Sequence, residues 1–274
     1  MVTELPFDKY YLVKPFFKGP EFGLLLSAIL EGNSLAQVWV DDKSEPESVF
    51  LWDKANNVFH LAGGESNVQF NREIRALIGR KIVPELKLRH RLHFRLHPAS
   101  ESWHKALPSI FMDTNLTLGH HIFHTHQQPV KHDWRSSMLE GLRLKQIDEH
   151  FLHEEPYENK EFVLDEIQQM WPTVDRFVKF GFGFSLVTDK QAVCWCTAEY
   201  MSKHKCGIGI ETVRDYQNRG LATSAASAFV DHCEARNIKL HWECSAENLA
   251  SRRVAKKVGF VKEHEYRVYH GKFK

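Results

Sequence analysis

Apolar and polar positions alternate in short bursts through the first half of the chain. The runs AQVWVDD (36–42), SVFLWD (48–53) and VFHLAGG (58–64) are rich in β-branched and aromatic residues. Polar or glycine-bearing turns separate them, which predicts three strands. From residue 67 the period changes: Val68, Ile74, Leu77 and Ile78 recur at helical spacing through NVQFNREIRALIGRKIVPEL. RLHFRLHP returns to alternation, with Leu92, Phe94 and Leu96 on one face. SWHKALPSIF reads as a short helix and LTLGHHIFHTHQQ as a strand, after which the polar stretch 127–137 reads as a linker.

The second half is more regular. LRLKQID predicts a strand, and residues 159–181 predict one or two helices, interrupted at Pro172 and stopped by Gly181. GFSLVTD, QAVCWCTAEYM and CGIGIETV follow as three strands of a meander. A helix over 217–236, a strand over 239–245, a helix over 249–258 and a last strand EYRVYHG complete the pattern. Both halves run strands, then a helix, then a strand, so the chain divides into 1–132 and 133–274 in an α/β (α+β) protein, with divergent duplication as one origin.

Composition narrows the functions. Lys+Arg number 36 against 35 Asp+Glu, so there is no positive excess for duplex nucleic acid. No apolar run reaches the roughly 18 residues that span a bilayer. The opening MVTELPFDKYYLVK mixes charges and lacks an apolar signal core, and five cysteines include no C-x-x-C pair. A reducing, cytoplasmic setting is expected.

The candidate chemistry centres on QNRGLA (217–222), between a strand and a helix. A helix N-terminus offers free backbone N–H groups and partial positive charge, which suit a pyrophosphate. Gly220 removes a Cβ from the approach, Ala222 keeps the first turn slim, and Arg219 adds charge. Neither G-x-x-x-x-G-K-[ST] nor an early G-x-G-x-x-G is present, which excludes a P-loop and the dinucleotide fingerprint.

Gln217-x-x-Gly220-x-Ala222 after a strand, with HWECSAENLASRRVAKKVGFV downstream, resembles two successive motifs of the GNAT N-acetyltransferase superfamily. Over the whole chain the sequence is similar to the subgroup typified by the zwittermicin A resistance acetyltransferase. The resemblance implies a C-terminal GNAT fold, a mixed and mostly antiparallel splayed sheet flanked by helices, beside an N-terminal α+β domain that roofs an acceptor pocket or is a degenerate GNAT-like half. It implies acetyl-CoA as co-substrate, no metal, and transfer of acetyl to the primary amine of a small molecule, an antibiotic or aminated metabolite. Protein N-termini or lysines are the alternative acceptors, and a CoA-binding module without turnover is a third reading.

By the same resemblance Ile210, Thr212 and Val213 lie along the thioester and pantetheine. Gln217, Asn218, Arg219, Gly220, Leu221, Ala222 and Thr223 cradle the pyrophosphate, and Asn248 bonds the pantetheine arm. Many members place a tyrosine seven residues after that Asn as acid for the thiolate; here the position is Ala255. Ser251 is then the candidate acid or water holder, or a helix cap. Glu211, Glu243 and Glu199 are candidates for the base, although alternation turns Glu211 away from the face of Ile210 and Thr212. His120, His124 and His126 share a strand face without an interleaved acid, and read as surface histidines. Cys194 and Cys196 read as core, Trp171, Phe177, Phe180 and Phe182 as core or acceptor-pocket walls, and FGFGF (180–184) as a helix stop and turn. Whether the chain oligomerises is not legible.

Overall fold

A computed structural model describes residues 1–127, 133–136 and 138–274. The expected linker 127–137 therefore lies largely outside the described residues. Packing groups the chain into two compact units, one of residues 1–30, 34–120 and 266–274, the other of 31–33 and 121–265. The division at 132/133 follows chain order, whereas compact packing assigns the last nine residues to the first unit.

In the first unit β1 (Thr3–Glu4), α1 (Pro20–Leu30), β2 (Ala36–Val40), β3 (Ser48–Asp53) and β4 (Val58–Gly63) lead to α2 (Val68–Leu77). A π-turn joins α2 to α3 (Val83–Leu88), and β5 (His93–Leu96), α4 (Leu107–Ile110) and the start of β6 (Thr117–His126) follow. β2, β3 and β4 form an antiparallel meander with Trp39 opposite Phe50 and Phe50 opposite Leu61. β5 then pairs parallel to β4. The core is aromatic, built on Trp39, Phe50, Trp52, Phe59, Phe94 and Phe273. Sequence pattern gave no sign of α1, because it is apolar almost throughout. Phe22, Leu24, Leu25, Leu26, Ala28 and Ile29 are all buried, so no polar stripe marks a period.

The second unit repeats the order. β7 (Arg143–Gln146), α5 (Glu149–His153), α6 (Lys160–Met170) and α7 (Val174–Phe180) precede a meander of β8 (Gly183–Val187), β9 (Ala192–Ser202) and β10 (Lys205–Thr212). Then come α8 (Leu221–Glu234), β11 (Lys239–Ser245), α9 (Leu249–Lys257) and β12 (Phe260–Lys272), whose last part belongs to the first unit. Strands run in the order β6-β11-β10-β9-β8-β7. All neighbours are antiparallel except β10 and β11. Meander, helix and parallel strand thus occur once in each unit.

Two boundaries differ from expectation. α8 begins at Leu221 rather than 217, because Asn218 (φ 60°) and Gly220 (φ 83°) are left-handed and no α-helix passes through them. β12 begins at Phe260 rather than 265; residues 261–263 are exposed on both faces and so carry no alternation to read.

α8 and α9 share one face of the second unit's sheet. On that face the Cys233 thiol of α8 meets Cys206, and Trp242 of β11 donates its indole N–H to Ser251 of α9. α6 covers the opposite face of β9, through Glu166 against Trp195 and Thr197.

Candidate active site

β10 and β11 pair over only three residues, Lys205 with Lys239, Cys206 with Leu240 and Gly207 with His241. Beyond Gly207, β10 stays with β9 while β11 stays with β6, Glu243 opposite Phe123 and Ser245 opposite His121. The strands part, as a splayed sheet requires. Beside the fork the β9–β10 register slips between Cys206 and Ile208, and such a bulge adds local twist. The Val213 N–H bonds the Val193 carbonyl at 3.0 Å. Alternation then points residues 213, 211 and 209 toward β9 and turns the backbone groups of Ile210 and Thr212 to the gap. The Thr212 carbonyl accepts from Gln217 Nε2 at 3.1 Å, which ties the motif's glutamine to the end of the parted strand.

The first unit shows the same strand pair closed. Arg95 N–H bonds Asn57 O at 3.1 Å, His97 bonds Phe59 O at 2.8 Å, and Ala99 bonds Leu61 O at 2.8 Å. The carbonyls of Asn57, Phe59 and Leu61 along β4 are thus taken by β5 and the residues that follow it.

The loop after β10 ends at an open helix start. Val213 leads into a turn at 214–216, and Gln217, Asn218, Arg219 and Gly220 are exposed. A Cβ built on Gly220 meets nothing within 4 Å. No side chain caps α8 and no acid lies in its first turn. The first N–H bonded within the helix is that of Ser224, to Gly220 O at 3.1 Å, so those of Leu221, Ala222 and Thr223 have no partner from the helix itself. Arg219 sits over the Tyr216 ring at 5.2 Å, and the Tyr216 hydroxyl accepts from Gln191 Nε2 at 2.9 Å. The corresponding helix of the first unit is occupied by its own chain. Asn67 Oδ1 accepts the Phe70 N–H at 3.0 Å, and Asn67 Nδ2 donates to Asp41 Oδ2. A carboxylate so placed repels an anion.

At α9 the cap is Asn248, whose Oδ1 accepts the Ser251 N–H at 3.0 Å. Ser251 is therefore not the cap, and lies inside the helix. Its Oγ accepts the Trp242 indole N–H at 2.9 Å and also bonds the Cys244 thiol, whose pKa burial nevertheless raises. Ala255, at the position where a tyrosine is usual, is fully buried, which leaves no room for a phenol. Ser251→Ala is expected to destabilise the protein by about 1 kcal/mol through the lost indole bond. A calorimetric melt and steady-state rates would check this; a fall in kcat of about 10²-fold or more would make Ser251 the acid.

The carboxylates collect on the other face. Antiparallel partners share a face, so Glu211 stands with Trp195, and Gly209 with Thr197. A Cβ on Gly209 would lie 2.9 Å from Glu199 Oε1 and 3.1 Å from Glu166 Oε1. Glu166 was missed in the sequence, although residues 163, 167 and 170 mark the buried side of α6 and position 166 falls among them. Burial pushes its carboxyl above the usual range, the hydrogen bonds from Thr197 and Trp195 oppose that rise, and the Glu211 charge adds to it. Across the gap Glu243 Oε1 lies 3.7 Å from His121 Nδ1. At the fork burial, with Lys205 adding to it, holds His241 down to about 4, so its ring is neutral at pH 7.

Two histidines of β6 serve the backbone: His124 Nδ1 lies 3.1 Å from Trp242 O and His126 Nε2 3.1 Å from Val258 O, and His124 is buried rather than on the surface as the sequence suggests. Among the described residues no group of three or more His, Cys, Asp or Glu is placed to hold a metal. Among the described residues no helix is long and apolar enough to cross a membrane.

A family model described as GNAT acetyltransferase matches residues 14–269. The chain is 26% identical over 270 residues, 98% of each chain, to the uncharacterized N-acetyltransferase YdfB of Bacillus subtilis (strain 168). A GCN5-related N-acetyltransferase-like protein from Streptococcus suis 89/1591 superposes with a TM-score of 0.69 at 19% identity, over 97% of this chain and 99% of that one. A tandem GNAT protein from the clavulanic acid biosynthesis pathway superposes at 0.54 and 10% identity, over 99% and 98%. These structural likenesses are ones of fold, and none of these relatives' names speaks of zwittermicin A resistance.

Proposed function

Because the chain belongs to the GNAT acetyltransferase family, and is thus an acyltransferase, we propose that it moves acetyl from acetyl-CoA to the primary amine of a small molecule by direct attack in a ternary complex. One observation carries this reading. A strand edge that leaves β11 after Gly207, with its Thr212 carbonyl tied to Gln217, runs straight into a helix start with no cap, no acid and open space before it. The N–H groups of Leu221, Ala222 and Thr223 would receive the pyrophosphate, and Arg219 would add charge. Backbone groups of Ile210 and Thr212 would pair with pantetheine and present an N–H to the oxyanion, already oriented before the reaction. Asn248 keeps its side-chain amide for the pantetheine arm while its oxygen caps α9. Ser251 then orders α9 through Trp242, and a thiol of pKa roughly 8.5 leaves without a dedicated acid.

The acceptor side supports an amine. Glu211 and Glu199, with Glu166, lie on the face of β10 away from α8, and Glu243 lies across the gap. Negative charge there favours an approaching ammonium. All five cysteines are free and buried, which suits a reducing cytoplasm. The test is thiol release from acetyl-CoA with a panel of small amines and of peptides. Release with small amines supports the reading. Release with peptides alone would move the acceptor to protein N-termini or lysines, and calorimetric binding of CoA without any release would leave a binding module.

A further inference from the structure

We propose that Glu166 is the catalytic base, the group that takes the proton from the acceptor amine. This rests on the amine-acetylation reading above and adds to it a residue outside both sequence motifs. α6 buries Val163, Ile167 and Met170, and Glu166 lies on that same side. A carboxylate on the packed side of a helix is costly unless it is hydrogen-bonded. Here two β9 side chains fix it: Trp195 Nε1 donates to Oε2 at 2.6 Å, and Thr197 Oγ1 donates to Oε1 at 2.5 Å. Both donors are themselves buried, so the carboxylate has one orientation.

That orientation aims Oε1 over Gly209, 3.1 Å from where a Cβ would stand. Gly209 directly precedes Ile210, whose backbone faces the gap. Any side chain at 209 would fill the space between the carboxylate and the parted strand. Glu166 is half-buried, and so keeps a route for the proton to leave. The charged groups facing it are Glu199 of β9 and Glu211 of β10. Both are negative, so both favour the protonated form of Glu166 and attract an ammonium. Glu211 is exposed, and Glu243 is committed toward His121.

The proton balance closes. The Glu166 carboxylate takes one proton from R–NH3⁺ and gives it to solvent, and the freed amine attacks the thioester carbon as the C–N bond forms. The oxyanion collapses, the C–S bond breaks and CoA leaves as thiolate. The second N–H proton passes to Glu166 and on to the thiolate, giving the amide and CoA thiol.

Glu166→Gln keeps the shape and one acceptor for Trp195. It is expected to lower kcat by about 10²–10³-fold, with calorimetric affinity for acetyl-CoA and melting temperature close to wild type. In the wild type kcat rises with pH through a carboxyl value above the ordinary range, and the variant loses that limb. Glu166→Ala, with activity partly restored by added formate, guards against a merely structural loss. Undiminished kcat and an unchanged pH limb in a folded Glu166→Gln protein would overturn the assignment while leaving acetylation intact. Absence of turnover by the wild type with every amine and peptide would overturn the acetylation reading and the base together.

Discussion

Replacing Gly220 by glutamate is expected to abolish coenzyme A binding in a protein that still folds. Gly220 is left-handed, φ 83°, and no atom lies within 4 Å of a Cβ built there. Backbone strain of roughly 1–2 kcal/mol is therefore the main structural cost. The functional cost is larger. The new carboxylate enters the space before the N–H groups of Leu221, Ala222 and Thr223, where a pyrophosphate would sit. One charge pair at 4 Å and an effective permittivity of 20 repels by about 4 kcal/mol, on the order of a 10³-fold loss of affinity. Calorimetry should show one equivalent of CoA per wild-type chain and none per variant. No second equivalent is expected in the first unit, where three β4 carbonyls are bonded by β5 and the residues after it, and Asn67 caps α2. Gly220→Ala isolates the strain, and should bind within about tenfold of wild type.

Gly209→Val separates the two sides of the gap. β10 is extended and valine favours strands, so the substitution suits the backbone. Its Cβ would meet Glu199 Cγ at 2.7 Å and Oε1 at 2.9 Å, and Glu166 Oε1 at 3.1 Å. Glu199 must swing aside, and the Glu166 carboxylate, held by Trp195 and Thr197, must give by a few tenths of an ångström. Moving them displaces Glu166 from the strand edge and fills the amine's approach. A loss of kcat of about 10²-fold or more is expected, with acetyl-CoA binding retained. A variant with wild-type turnover would remove this face from the acceptor's path.

The elements that alternation or period defines were legible. β3 (48–53) and β11 (239–245) begin and end where the pattern places them, and the helix pair broken at Pro172 stands as α6 and α7. α1 was not legible, because a helix buried all round shows no stripe. The start of β12 was not either, because it is exposed on both sides. In the site, QNRGLA announced the helix start, but its left-handed residues shorten α8. The parting of β10 from β11 has no local signature, since it depends on how far two distant segments keep register. Glu166 belongs to the same class. Its position on the buried side of α6 could be read, but its convergence on Gly209 is a property of the packed sheet. Ser251 looked like a cap because serine often is one, and the structure gives that role to Asn248.

The central claim is that the parted β10 edge and the α8 N-terminus form one acetyl-CoA site. A crystal structure of the complex with acetyl-CoA tests it most directly. Pyrophosphate oxygens are expected on the backbone N–H groups of Leu221, Ala222 and Thr223, with pantetheine paired with Ile210 and Thr212 between β10 and β11. Cofactor bound at α2 of the first unit, or anywhere outside that gap, would contradict it.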